Sequence, residues 1–493
     1  MRYPFLESRL VLASPSRLRQ ILRRKVEEER MTEKTMVEKL ADFVHKARYE
    51  DLSDEAVHAL KIRTLDALGC ALGSLGHSTM HRLKSCLEEL EEEGACTLIG
   101  GGSAPPDRAA FYNSALVRYL DYNDSYLAPG ETCHPSDNLG GVLTASEYRD
   151  GSGKDFLTSL AVSYQVQCRL SDEAPVRARG FDHTTQGSYA AAAGVSKALG
   201  LDPEQTANAL AMSGTAFNAL RVTRTGALSN WKGLAYPNTV LCCTHAAFLA
   251  KHGITGPREV FEGNKGFMDS IAGEFEIDWG HEGLEKVRDT AIKKYNAEVH
   301  SQSTLEGVLE LREEHGLDPR EIERVEIETF DVAFHIIGGG EEGDKRVVRS
   351  KEEADHSLPY LVSVALLDGR VLPEQFFEER VSGQDVQELL RKVEVRQSAD
   401  LSRRFPESMP CRIAIHLVDG SVLRREKTEY EGYPTNPVSW ETAVRKFRNL
   451  AGPHLATPAT GEIVNAVHTL ESIDIRGLTD LLGKVQEHKA VFE

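Results

Sequence analysis

The sequence predicts a mainly α protein with an α+β part: a large all-helical domain formed by both chain ends, and a smaller α+β domain between them. Three observations carry this. Apolar residues recur mostly at helical spacing from Met36 to about residue 288. Between 289 and 428 the period changes to alternation in three short runs. From Asn436-Pro437 the helical pattern returns and holds through Leu482, which sends the C-terminal segment back onto the first domain. The boundaries read from these changes are an extension over 1–33, helical segments over 34–288 and 429–493, and an α+β domain over 289–428. A chain of 493 residues exceeds what one core usually organises, so two domains are expected.

In chain order, the extension holds the Arg-rich run Ser16 to Lys25. It resembles a transit segment in composition, but its plainer reading is a helical or flexible extension, with cytoplasmic location expected. Ser53 reads as an N-cap, with Asp54 and Glu55 suiting the first turn and Val57, Leu60, Leu65, Leu68 and Leu72 forming the apolar stripe. The acidic run Leu87–Glu93 reads as helix, and Ala95–Ile99 as a short extended piece ending in three glycines. Pro105-Pro106-Asp107 opens a helix expected to end near Tyr122. Further helices are predicted over Lys154–Leu170, around the small residues Ala190–Gly194, after the Asp202-Pro203 start signal, and over His245–Lys251. The strands are marked by Val325, Ile327 and Thr329, by Val393 and Val395, and by Ile413, Ile415 and Leu417, the last joined through Asp419-Gly420 to Val422-Leu423 as a hairpin.

Composition narrows the function. Net charge is -18, which argues against a nucleic-acid partner and directs attention to locally clustered Arg and Lys as the route to an anionic ligand. No apolar run reaches membrane-spanning length. Eight scattered cysteines form no C-x-x-C, so a disulfide framework, a zinc knuckle and an iron–sulfur ligand run are not expected. No metal and no cofactor are expected. His77 and His81 make an isolated H-x-x-x-H without a third ligand, and the glycine string Gly338–Gly343 matches G-x-G-x-x-G without the βαβ context a nucleotide needs.

The chemistry concentrates in residues 118–141. Asp121, Asp124 and Ser125 are followed by a Pro129-Gly130 turn and by His134-Pro135, which puts acids, a hydroxyl and an imidazole at one loop mouth. Arg221 and Arg224 lie three apart and would share a face in a helix, with Lys232 close behind; such guanidinium forks suit carboxylates. His183 follows Asp182 in a loop. Glu298 and His300 fall at the junction of the two domains, where pockets form, and His356 follows Asp355.

These residues carry a resemblance to the MmgE/PrpD family over about 36–482. L-D-Y-N-D-S-Y followed by H-P-S-D-N-L-G-G looks like the branch that dehydrates 2-methylcitrate, as do G-F-D-H near 180, L-R-x-x-R near 221, A-E-V-H-S-Q near 298 and D-H-S-L-P-Y near 356. The resemblance implies that the α+β domain is a lid, that the protein is a homodimer, and that the mechanism is independent of an iron–sulfur cluster. It places Asp121, His134, His183 and Lys232 as catalytic residues, and Ser125, Asp124, Arg221, Arg224, Glu298, His300 and His356 as substrate-binding. Ser125 stands where the family usually has Thr, and Lys232 looks like the lysine of its decarboxylase branch.

The expected function is a hydro-lyase acting on 2-methylcitrate or a citrate-like tricarboxylate, with His134 and Asp121 as its acid–base core. Decarboxylation of cis-aconitate and epimerisation of a small dicarboxylate are the alternatives within the family. A non-catalytic helical binding protein is the alternative outside it.

Overall fold

The computed structural model describes residues 33–90, 94–226, 228–341 and 343–485. The Arg-rich extension and the end of the acidic run, residues 91–93, lie outside them. The first helical segment comprises α1 (Met36–Lys46), α2 (Asp54–Gly73), α3 (Ser78–Leu90), α4 (Pro106–Tyr119), α5 (Leu139–Tyr148), α6 (Gly153–Glu173), α7 (Thr184–Leu199), α8 (Pro203–Ala216) and α9 (Trp231–Lys251). The Ser53 hydroxyl accepts the Ala56 N–H at the start of α2, and Asp202 caps α8 with Pro203 in its first turn. Gly200 closes α7 in the left-handed conformation, at φ 67°. Helices α4, α6, α7 and α9 pack on one another around an aliphatic core that includes Leu116, Leu160, Ala192 and Val240, all fully buried.

A second core begins after Ala291. Here α10 (Gln302–His315) and α11 (Leu358–Asp368) pack together beside a four-stranded sheet. The strands are β5 (Ile322–Thr329), β6 (Val393–Gln397), β7 (Cys411–Leu417) and β8 (Val422–Lys427), in the order β6-β5-β7-β8. β5 pairs with β6 in parallel, and the other pairs are antiparallel. Register explains the alternation in the sequence: Val325 faces Val393 on one side and Ile415 on the other, and Ile327 faces Val395 and Ile413. This is the lid.

The chain then returns to the first core. Helices α12 (Trp440–Ala451), α13 (Thr457–His468) and α14 (Ile475–Gly483) pack against α2 and α5, with α12 seated on α2 so closely that a Cβ at Gly69 would lie 3.2 Å from the Phe447 Cα. The fold is therefore mainly α, with a helical domain built from both chain ends and a smaller α+β lid between them. Among the described residues, no helix is long and apolar enough to cross a membrane. All eight cysteines are free thiols.

Two local expectations are corrected. Helix α4 ends at Tyr119 rather than near Tyr122, because Asp121 takes φ 55° and turns the chain out of the helix. The segment around Pro129-Gly130 is not only a loop: β3 (Tyr126–Ala128) and β4 (Glu131–Cys133) pair across it as a small hairpin, which delivers His134 at its end. Two further strands, β1 (Cys96–Thr97) and β2 (Ser103–Ala104), pair across the three glycines.

Candidate active site

The loop between α4 and α5 is held from beneath by Asp124. This carboxylate is fully buried; one oxygen accepts the Ser136 N–H and hydroxyl at 3.1 and 2.7 Å, and the other accepts the Tyr164 hydroxyl at 2.7 Å. Ser125 exchanges backbone hydrogen bonds with Ala291, which ties the loop to the start of the lid. Above them, the His134 Nδ1 lies 2.8 Å from the Asp124 carbonyl oxygen, with the Ser125 hydroxyl at 3.1 Å. A carbonyl can only accept, so Nδ1 carries the proton and Nε2 keeps its lone pair. Burial, with Arg118 and Lys293 nearby, holds the His134 pKa well below the ordinary imidazole value.

His183 precedes α7 and meets His134 edge-on, ring centroids 5.4 Å apart. Its Nδ1 is 3.4 Å from an Asp182 oxygen, and burial pushes its pKa down to about 3. Asp182 is the anchor of the basic cluster. Arg221–Arg224 form a 3₁₀ turn, so residues three apart stack on one face, and both guanidiniums turn to Asp182, at 3.8 Å for Arg221 and 2.9 Å for Arg224. Arg224 also donates to the Lys232 carbonyl at 2.9 Å.

From the lid, His300 sets Nδ1 2.7 Å from a Glu298 oxygen. Burial alone would raise that carboxyl, but His300 beside it, with His356 and Lys293, lowers it to about 2. His356 sets Nδ1 2.6 Å from Asp355 and 2.9 Å from the Lys232 Nζ. Lys232 completes a latch between the two domains, donating to Asp355 at 2.8 Å and lying 3.3 Å from Asp121. Donor atoms of Asp121, Asp355 and His356 are close enough together for a cation, but the Lys232 ammonium already stands among them.

Several of these groups meet at one cleft between the two domains. His134 and His183 line its floor, and His300, His356 and Glu298 line the lid side. Four guanidiniums, from Arg118, Arg177, Arg221 and Arg224, also border it. Glu131, Thr132 and Ile336 complete it. Seven sequence-predicted residues are thus brought together: His134, His183, Arg221, Arg224, Glu298, His300 and His356.

Four are not. Asp124 and Ser125 are fully buried behind His134, where their polar atoms serve the loop and the imidazole rather than a ligand. Lys232 and Asp121 line a small adjoining crevice. Asp121 is also removed as a proton donor. Arg118 and Lys293, each at 2.7 Å, and Lys232 hold its carboxyl well below the usual range.

Sequence reasoning missed Arg118, Glu131, Thr132, Arg177 and Ile336. Arg118 was findable, in the last turn of α4 and three residues before Asp121. Arg177 was not: it is aimed by the buried Glu131 carboxylate, which accepts the Val176 and Arg177 N–H groups from 45 and 46 residues away.

Two family models match the chain, described as the MmgE/PrpD N-terminal domain over residues 38–280 and the MmgE/PrpD C-terminal domain over residues 295–472. The chain is similar to the cis-aconitate decarboxylase of Mus musculus, 27% identical over 91% of this chain and 93% of that protein. It is similar to the mitochondrial 2-methylcitrate dehydratase of Yarrowia lipolytica, 27% identical over 80% of this chain and 79% of the other. It is likewise similar to the 2-methylcitrate dehydratase of Salmonella typhi, 27% identical over 79% and 84% of the two chains.

Proposed function

The chain belongs to the MmgE/PrpD family, and from that premise we propose that it is a hydro-lyase dehydrating 2-methylcitrate, or a closely related citrate, to the cis-aconitate-type alkene. The observation that carries the reading is the convergence of four imidazoles and four guanidiniums on one cleft, in a chain whose relatives are named for 2-methylcitrate dehydration and cis-aconitate decarboxylation.

In this reading Arg118, Arg177 and Arg221 take the substrate carboxylates, and Arg224 stays on Asp182 to hold the turn. His134 accepts the C–H proton at Nε2. Its low basicity rises as the bound carboxylates offset the cations around it. The electron pair left on carbon is delocalised into the adjacent carboxylate, where the guanidiniums stabilise it. The carbon–oxygen bond then breaks, and a protonated His300, backed by Glu298, gives its proton to the departing hydroxyl, which leaves as water. His356, Lys232 and Asp121 keep the lid on the floor. The proton bookkeeping closes when His134 returns its proton and His300 regains one.

A second reading, decarboxylation of cis-aconitate, is favoured by the near full-length similarity to a decarboxylase and by the buried Lys232. Proton NMR of the purified protein with 2-methylcitrate, citrate and cis-aconitate, in deuterated buffer without added iron, separates them. The dehydratase reading expects an alkene from 2-methylcitrate with no carbon dioxide. Itaconate from cis-aconitate would move the protein to the decarboxylase reading, and deuterium entering an added small dicarboxylate without net product would indicate an epimerase. Silence across the panel would overturn all three. A homodimer and a cytoplasmic location belong to the same proposal; light scattering at twice the chain mass tests the first, and cell fractionation the second.

A further inference from the structure

We propose that Ile336 receives the alkyl substituent of the substrate and so determines which 2-alkyl citrates the cleft accepts; this rests on the dehydration reading above. Among the described residues that line the cleft, Ile336 alone has a wholly hydrocarbon side chain. Its other walls are guanidinium, imidazole, carboxylate and one threonine. A citrate skeleton offers carboxylates and a hydroxyl to such walls. An alkyl group placed against them would displace water from charged atoms and return no hydrogen bond. Against Ile336 it meets hydrocarbon.

The residue is also held where a specificity determinant must be. Ile336 is 6% exposed, at the edge of the lid core, and its neighbour Ile337 is fully buried. It sits on a wide helical turn, Phe334–Gly338, and the glycines that follow fold back against that turn. A Cβ at Gly338 would lie 3.0 Å from both Phe334 and Val395 side chains, and one at Gly340 would lie 2.7 Å from the His335 ring. The Gly340 N–H closes the turn by donating to the Phe334 carbonyl at 3.1 Å. The glycine run that failed as a nucleotide loop therefore has a packing role: it lets the backbone close tightly behind Ile336. Ile336 is thus a wall of fixed position, and a methyl on the substrate is sensed against it.

The test compares kcat/KM for citrate, 2-methylcitrate and 2-ethylcitrate in the wild type, Ile336→Thr and Ile336→Val. The wild type is expected to favour 2-methylcitrate over citrate by about 10-fold or more, the discrimination one methyl group allows in an apolar contact. Ile336→Thr should lower the 2-methylcitrate to citrate ratio by about 10-fold, mostly through KM, and Ile336→Val should raise the 2-ethylcitrate to 2-methylcitrate ratio. Ratios unchanged in both variants, with an active wild type, would overturn the inference and leave dehydration standing. Equal losses on all three substrates would assign Ile336 to lid packing and also overturn it. A wild type inactive on all three would instead overturn the dehydration reading, and this inference with it.

Discussion

The two sides of the cleft hold their imidazoles differently. On the floor, His134 gives its Nδ1 proton to a backbone carbonyl, and His183 stands 3.4 Å from an aspartate already taken by arginine. On the lid, His300 and His356 each set Nδ1 against a carboxylate, at 2.7 and 2.6 Å. A neutral carbonyl offers an imidazolium little counter-charge, whereas a carboxylate offers a full one. In the proposed mechanism this difference in partner assigns proton acceptance to His134 and proton donation to His300, while His356, its pKa lowered by burial and by Lys232, belongs to the contact between the domains.

The comparison can be broken in order of expected effect. His134→Ala removes the acceptor outright and should cost about 10²–10⁴ in kcat, measured on the substrate that NMR identifies; near-normal turnover would end the assignment. Glu298→Gln keeps the lid imidazole but removes its counter-charge, and should lower kcat by about 10²-fold. An unchanged kcat would separate Glu298 from proton donation. Arg221→Gln touches neither side's proton chemistry and should raise KM by roughly 10-fold through one lost charged hydrogen bond.

The floor's neutrality also has a stability signature. The His183 pKa is about 3 in the fold against an ordinary 6.5. As pH falls through that window, the unfolded chain binds a proton that the folded chain refuses. Stability should therefore fall with falling pH, by up to ~1.4 kcal/mol per unit from this group. His183→Asn should flatten that slope in denaturant titrations between pH 6 and 4, and an identical slope would show the histidine to be uninvolved. The smallest effect belongs to Ser125→Ala. Its hydroxyl only shares the His134 Nδ1, so turnover should stay within about 3-fold and stability within ~1 kcal/mol.

The fold was legible because both domains advertise their period. Val325 and Ile327 alternate because one face of β5 meets a core, and Leu60 and Leu68 lie on the apolar stripe of α2, a helix enclosed on all sides from Ile62 to Leu72. The residues of the cleft were legible as chemistry but not as placement. Asp121 and Lys232 look like reactive groups in the sequence. Arg118 beside Asp121 is local, but the partners Lys293 and Asp355 stand 172 and 123 residues away, and nothing in the sequence announces those two ion pairs. Asp124 reads as a site acid for the same reason: Tyr164, which occupies it, lies on another helix. Ile336 carried no signal, since an apolar residue becomes informative only when every other wall is known to be polar.

The return of α12 onto α2 has a consequence in time. α2 is complete at Gly73, yet the helix that covers it begins at Trp440. At ribosomal rates of about 5–20 residues per second, the apolar face of α2 waits roughly 20–70 s for its partner, while the lid between them can already close its own core. During synthesis the lid can mature before the domain it serves, and the nascent chain must be kept from aggregating through the very surface that later holds its two ends together.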